Sequence, residues 1–115
     1  MQATDPSLAL DVAQLKDVTL NDEELMREVI AALIDDTSRQ LELLDSAIRQ
    51  HDPQRCRRLA HYSKGACANV GANRAAGILQ KMEQDATQGA FDDCTQDLRQ
   101  LIAELDHLRQ EAAAI

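Results

Sequence analysis

Aromatic residues are nearly missing from this chain of 115 residues: one Phe, one Tyr and no Trp make up 2% of it. Glycine occurs four times and proline twice. So few chain breakers among Ala, Leu, Gln, Glu, Asp and Arg favour long helices over strands. Long hydrophobic runs are missing too, since nothing approaches the ~18 uninterrupted apolar residues of a membrane span. The opening MQATDPSLAL has no basic segment followed by an apolar one, so it does not read as a signal peptide. A cytoplasmic location is the expectation. Positive charge is in the minority, 12 Lys and Arg against 20 Asp and Glu, for a net charge of −8. That balance argues against general affinity for nucleic acid, which needs basic surface to displace counterions. Three cysteines, Cys56, Cys67 and Cys94, are an odd number without regular spacing and make no disulfide framework. Cys56 and Cys67 on one helix would lie about 16 Å apart, so all three read as reduced packing residues. No His/Cys group has metal-ligand spacing, so no metal site is expected.

Apolar residues make up 44% of the chain, enough for a modest core within one domain over 1–115. Asp5-Pro6 has the form of a helix start and opens a short helix over 6–18, with Leu8, Val12 and Leu15 on one face. Asn21 with Glu24 resembles a capping box. A long helix follows over 22–50, with the stripe Leu25, Val29, Leu33, Thr37, Leu41, Leu44 and Ile48. A kink in it would fall at Asp35–Ser38. Asp52-Pro53 repeats the start signal for a helix over 53–70, closed by Gly71. Asn73 is placed to cap a helix over 73–88 that carries Ala75, Ile78, Leu79, Met82 and Ala86. Gly89 ends it, and a last helix over 91–112 carries Phe91, Cys94, Leu98, Leu101, Ile102, Leu105 and Leu108 before a fraying tail from Glu111. Four long amphipathic helices with short connections predict an all-α, antiparallel up-down four-helix bundle with a short extra N-terminal helix.

The chemistry concentrates on the helix over 53–70. At about 100° per residue, Leu59, Ser63, Ala66, Cys67, Cys56 and Val70 group within about 60° of the side opposite His61. His61 therefore points away from the core, flanked by Gly65, Arg58, Ala68, Arg57 and Lys64. Neutral imidazole is a good nucleophile near pH 7, because its ordinary pKa is about 6.5. A phosphoryl donor must come in line with the ring nitrogen. Gly65 leaves that approach open, and a mid-helix glycine, which costs about 0.5–1 kcal/mol against alanine, calls for such a reason. Lys64 can meet the phosphoryl oxygens. Between Pro53 and Met82 there is no acid, only Arg55, Arg57, Arg58, Lys64, Arg74 and Lys81, so this window carries +6 on a chain of net −8. One basic region is thus expected around His61, suited to an acidic partner pocket. The other histidines are plainer: His51 reads as a loop residue and His107 as a surface group beside Asp106.

The segment Ala60-His61-Tyr62-Ser63-Lys64-Gly65-Ala66-Cys67-Ala68-Asn69-Val70-Gly71-Ala72 resembles the signature of histidine-containing phosphotransfer domains, the Hpt family of multistep two-component relays. The matching features are a His, Lys-Gly three and four residues on, small residues, an aliphatic residue, and a Gly ten residues after the His. The helix spacing fits over nearly the whole chain. The resemblance implies that His61 reversibly accepts a phosphoryl group from a receiver-domain aspartate and passes it to another receiver. It implies that Lys64 assists the phosphoryl group and Gly65 leaves room for the partner. Arg57, Arg58, Tyr62, Ala68 and Asn69 are the expected docking contacts. The partners implied are receiver domains of response regulators or hybrid sensor histidine kinases, and the receiver would supply Mg²⁺. The chain itself is expected to need no cofactor, to be monomeric, and not to phosphorylate itself, having no P-loop. Ser63 departs from the pattern, which usually has a large apolar residue there; its hydroxyl can bond back to the Leu59 carbonyl. Two other functions use similar parts. The phosphoacceptor and dimerisation part of a histidine kinase also carries a histidine on a helical bundle, but no His-Glu dipeptide and no closely following Pro occur at His61. A receiver-binding adaptor without transfer would not need the histidine.

Overall fold

The computed structural model describes residues 8–115, and within them the chain is all-helical: α1 (Val12–Val18), α2 (Glu23–Arg49), α3 (Pro53–Val70), α4 (Asn73–Thr87) and α5 (Phe91–Ala112), with no strand. Three starts are set by aspartates whose carboxylates accept from otherwise orphaned backbone N–H groups. Asp11 accepts from Gln14 N, Asp22 from Leu25 N, and Asp52 from Arg55 N, with Pro53 beside the last. The α2 start therefore uses Asp22, not Asn21, which stands in the left-handed region at φ 61°. At α4 the flanking residue is Ala72 and no side chain caps. Asn73 lies inside the helix and donates instead to Gln14 Oε1. Helix α2 runs unbroken through Asp35–Ser38.

The N-terminal reading needs correction. Asp5-Pro6 lies outside the described residues, but Leu8 to Asp11 are not helical and the helix begins at Val12. Leu8 and Val12 are exposed, while Ala9, Leu10 and Leu15 are buried. A non-helical segment has no 3.6-residue period, so the helical stripe through Leu8 does not apply. That segment is held at both ends. Asp11 N donates to the Gly71 carbonyl at 2.8 Å. The Glu111 carboxylate accepts from Ala9 N at 2.7 Å and Leu10 N at 2.9 Å. The end of α5 is thus tied down, and Ile115 packs against the core, contrary to the expected fraying.

The long helices touch in a cycle, α2 on α3 and α5, and α4 on α3 and α5, while α1 lies against α2 and α3. The core is made of small and aliphatic side chains, among them Leu15, Leu44, Ala60, Leu79, Met82, Leu101 and Leu105. The α2 stripe is rotated at its start: Met26 and Ile30 are buried and Leu25 is exposed. Ile102 is also exposed. Cys56, Cys67 and Cys94 are buried and free. Burial pushes the Cys67 thiol up to about 11 and the Cys94 thiol up to about 12, which suits inert packing groups. His51 sits in the α2–α3 turn with its ring stacked on Phe91 at 4.7 Å.

Buried polar groups are the part that periodicity did not reveal. Asp97 and Glu104 lie on the inner face of α5. Burial pushes the Asp97 carboxyl up to about 6, and Lys81 holds it at 3.1 Å. Arg74 holds Glu104 at 3.0 Å. Ser63 is buried, as its wheel position requires, but its hydroxyl has no hydrogen-bond partner, so the bond to the Leu59 carbonyl is not made. An unsatisfied buried hydroxyl costs about 1–3 kcal/mol. Ser63→Ala is therefore expected to raise stability by about 1 kcal/mol, read as a higher urea midpoint. A lower midpoint would mean that the hydroxyl is satisfied in solution.

Candidate functional site

Helix α3 has neighbours on two flanks, α2 and α4, and buries one stripe between them: Cys56, Ala60, Ser63, Cys67 and Val70. Ala60 belongs to it, while Leu59 and Ala66 are only partly buried. The opposite face carries His61, whose side chain is 68% exposed. One turn further on, a Cβ built on Gly65 would meet nothing within 4 Å. No neighbour among the described residues requires a glycine there, so the space over position 65 is open to whatever approaches from outside.

The contact that sequence reasoning missed is Glu83 of α4. Its carboxylate lies 3.0 Å from His61 Nδ1 through Oε1 and 2.8 Å from Lys64 Nζ through Oε2. The hydrogen bond from Lys64, followed by that from His61, holds the Glu83 carboxyl below the usual carboxylate range. An ionised carboxylate can only accept, so the Nδ1 that faces it is the N–H of the ring. In the neutral ring the lone pair is then on Nε2, the atom left to attack. Lys64, with 27% of its side chain exposed, stands beside the same face.

The basic surroundings are narrower than the acid-free window suggests. Lys64 is engaged by Glu83, Arg74 by Glu104, and Lys81 by Asp85 and Asp97. All four acids lie outside that stretch of sequence and arrive by packing. Arg57 and Arg58 are exposed and line one cavity with His61, Tyr62 and Glu83. On the α4 side a second cleft runs past Arg57 and Lys64 between Gln80, Gln84, Thr87 and Gln88, all polar. On the α2 side the surface is more apolar, with Leu43, Leu59 and Tyr62 rimmed by Arg55 and Arg58. Tyr62 is exposed and donates through its hydroxyl to Asp36 Oδ2 at 3.0 Å, and that anion pushes its phenol up. Ala68 and Asn69 are exposed near the other end of α3. The Ala68 carbonyl accepts from Gln14 Nε2, which ties that end to α1. His107 lies apart from all of these, exposed, with Nδ1 3.7 Å from Glu104.

The model of the Hpt domain family matches residues 28–111. The chain belongs to the Hpt family. Among solved structures it is similar to histidine-containing phosphotransfer protein B of Pseudomonas aeruginosa PAO1, at 24% identity, a TM-score of 0.83, and coverage of 95% of this chain and 98% of that one. A comparison with curated proteins gives no significant match. This Hpt domain functions as a histidine phosphotransfer protein in phosphorelays, and its fold is the Hpt fold. Hpt proteins are phosphocarriers and not ATP-using enzymes. Among the described residues no helix is long and apolar enough to cross a membrane.

Proposed function

We propose that His61 is the phosphoryl acceptor of this Hpt domain. The Nε2 lone pair attacks phosphorus in an aspartyl phosphate of a receiver domain. The N–P bond forms as the O–P bond breaks, and the leaving electron pair returns to the receiver's aspartate. The reverse step passes the group to another receiver. Lys64 swings from Glu83 to the phosphoryl oxygens, and the opening over Gly65 admits the receiver's acidic site. The observation that carries this reading is the exposed His61 ring with its Nε2 unencumbered beside Lys64 and an open glycine.

The partners in this reading are receiver domains of response regulators or hybrid sensor kinases, which supply Mg²⁺ at their own aspartate; the chain needs no cofactor or ATP site of its own. Arg57, Arg58 and Tyr62 form the docking surface nearest the ring, and Ala68 and Asn69 extend it toward α1. The apolar cleft on the α2 side is continuous with it through Arg58 and Tyr62. We read the cycle of helix contacts and the short connections as an antiparallel up-down four-helix bundle with α1 as the extra helix. We read the domain as a cytoplasmic monomer spanning 1–115. The test is incubation with a phosphorylated receiver followed by assay for an acid-labile adduct. The parent acquires it and His61→Gln does not; undiminished labelling of the variant would refute the assignment.

A further inference from the structure

The seam between α4 and α5 holds a buried acid that phosphoryl transfer does not use. Asp97 lies on the inner face of α5. Its Oδ1 accepts from Lys81 Nζ at 3.1 Å, and its Oδ2 has no hydrogen-bond partner among the described residues. Lys81 also holds Asp85, one turn further along α4, at 2.8 Å. The Asp85 carboxylate stands within hydrogen-bond reach of Asp97. Two ionised carboxylates can only accept, so that contact becomes a bond when one of them carries a proton. Lys81 offsets one of the two charges, and burial penalises the other. The proton belongs on Asp97, whose side chain is 1% exposed against 15% for Asp85. Burial, followed by the contact with Asp85, pushes Asp97 up to about 6. The bonds from Asp97 and Lys81 hold Asp85 below its ordinary value of 3.8.

The groups packed around the pair carry no charge that competes for this proton. Cys94 of α5 and Cys56 of α3 are thiols pushed up by burial. The buried residues of α2 toward this end are Leu44, Ala47 and Ile48. His51, in the turn after α2, stacks on Phe91 at the start of α5. Asp52 caps α3, and Asp92 and Asp93 are exposed in the first turn of α5.

We propose that Asp85 and Asp97 share one proton and form a pH-sensitive latch that closes the α4–α5 seam while the proton is held and loosens it when the proton leaves. The step is a deprotonation: the proton passes to water or buffer, and the O–H electron pair stays on the Asp97 carboxylate. Lys81 and Asp85 stand on either side of Glu83 in α4, so the latch sets how firmly the helix beside His61 is held. Asp97 binds its proton more tightly in the folded chain than its ordinary value of 3.8 allows. Its contribution to stability is therefore full below that value and is lost as pH rises through about 6. Asp85 acts in the opposite sense, and its contribution is lost only as pH falls below 3.8.

Asp97→Asn tests the latch, because the amide keeps the size, still accepts from Lys81 and donates to Asp85 at every pH. The folding equilibrium constant of the parent, relative to that of this variant, should fall at least about tenfold between about pH 4 and about pH 7. Urea unfolding at each pH gives the ratio. In the parent, the side-chain carboxyl carbon of Asp97, followed by NMR, should titrate near about 6, a reading that needs no variant. Over the same range, amide-exchange protection, corrected for intrinsic rate, should drop at residues 82–86 and 94–98 more than in α2 and α3. Three results would each overturn the proposal: an Asp97 carbon that titrates in the ordinary carboxyl range, a parent-to-variant ratio that does not change with pH, or a loss of protection shared equally by all the helices.

Discussion

Gly65→Leu is expected to fold at least as well as the parent and to exchange phosphoryl groups with receivers about a hundredfold more slowly. The two halves of that result have separate causes. A Cβ at position 65 meets nothing within 4 Å among the described residues, and replacing a mid-helix glycine with a good helix former adds about 0.5–1 kcal/mol of helix stability. A leucine side chain in a helix leans back toward the preceding turn, here toward His61. It would occupy the space through which the donor must come in line with Nε2. Displacement of a reacting group by an ångström costs about a hundredfold in rate. The urea midpoint and the transfer rate, measured on one preparation, separate these effects. A rise in stability with transfer at the parental rate would mean that the partner does not pass over position 65.

Gly71→Ala acts on the other side of the balance and should destabilise the protein by about 2–3 kcal/mol. Gly71 ends α3 at φ 95°, a conformation that costs an L-residue about 1–2 kcal/mol. Its added Cβ would also stand 2.7 Å from the Asp11 carbonyl oxygen, a backbone atom that cannot swing aside. That carbonyl accepts the first helical bond of α1, from Leu15 N, while Asp11 N donates to Gly71 O. The substitution thus pushes against the link that holds α1 to α3. The expected signature is a lower urea midpoint together with faster hydrogen exchange at Asp11. Unchanged exchange there would show that the crowding is relieved elsewhere.

Much of this architecture was legible because local rules and packing agree. Asp52-Pro53 and Gly71 bound α3 as read from sequence, and α5 spans Phe91–Ala112. The outward aim of His61 followed from the 3.6-residue period alone. Misreadings arose where a long-range partner decides. Leu8 to Asp11 are not helical; Glu111 takes the N–H groups of Ala9 and Leu10 and Gly71 that of Asp11, and no local signal announces partners so far along the chain. The buried acids of α5 broke the apolar pattern because Lys81 and Arg74 of α4 reach them. Glu83 is the instructive omission. An acid-free window ending at Met82 stops one residue short of it. One signal was available: an antiparallel pair of helices turning at Gly71-Ala72 sets residues equidistant from that turn side by side, and His61 and Glu83 are such a pair. Ser63 was placed correctly in the core but given a bond that the structure does not form, since a wheel fixes direction and not hydrogen-bond geometry.

Tandem mass spectrometry of the protein after incubation with a phosphorylated receiver, with fragments kept in alkali, tests the central claim most directly. A single phosphoryl group on His61, stable in base and lost in acid, is the outcome expected. Phosphate found on any other side chain, or an adduct that survives acid as an ester would, contradicts it.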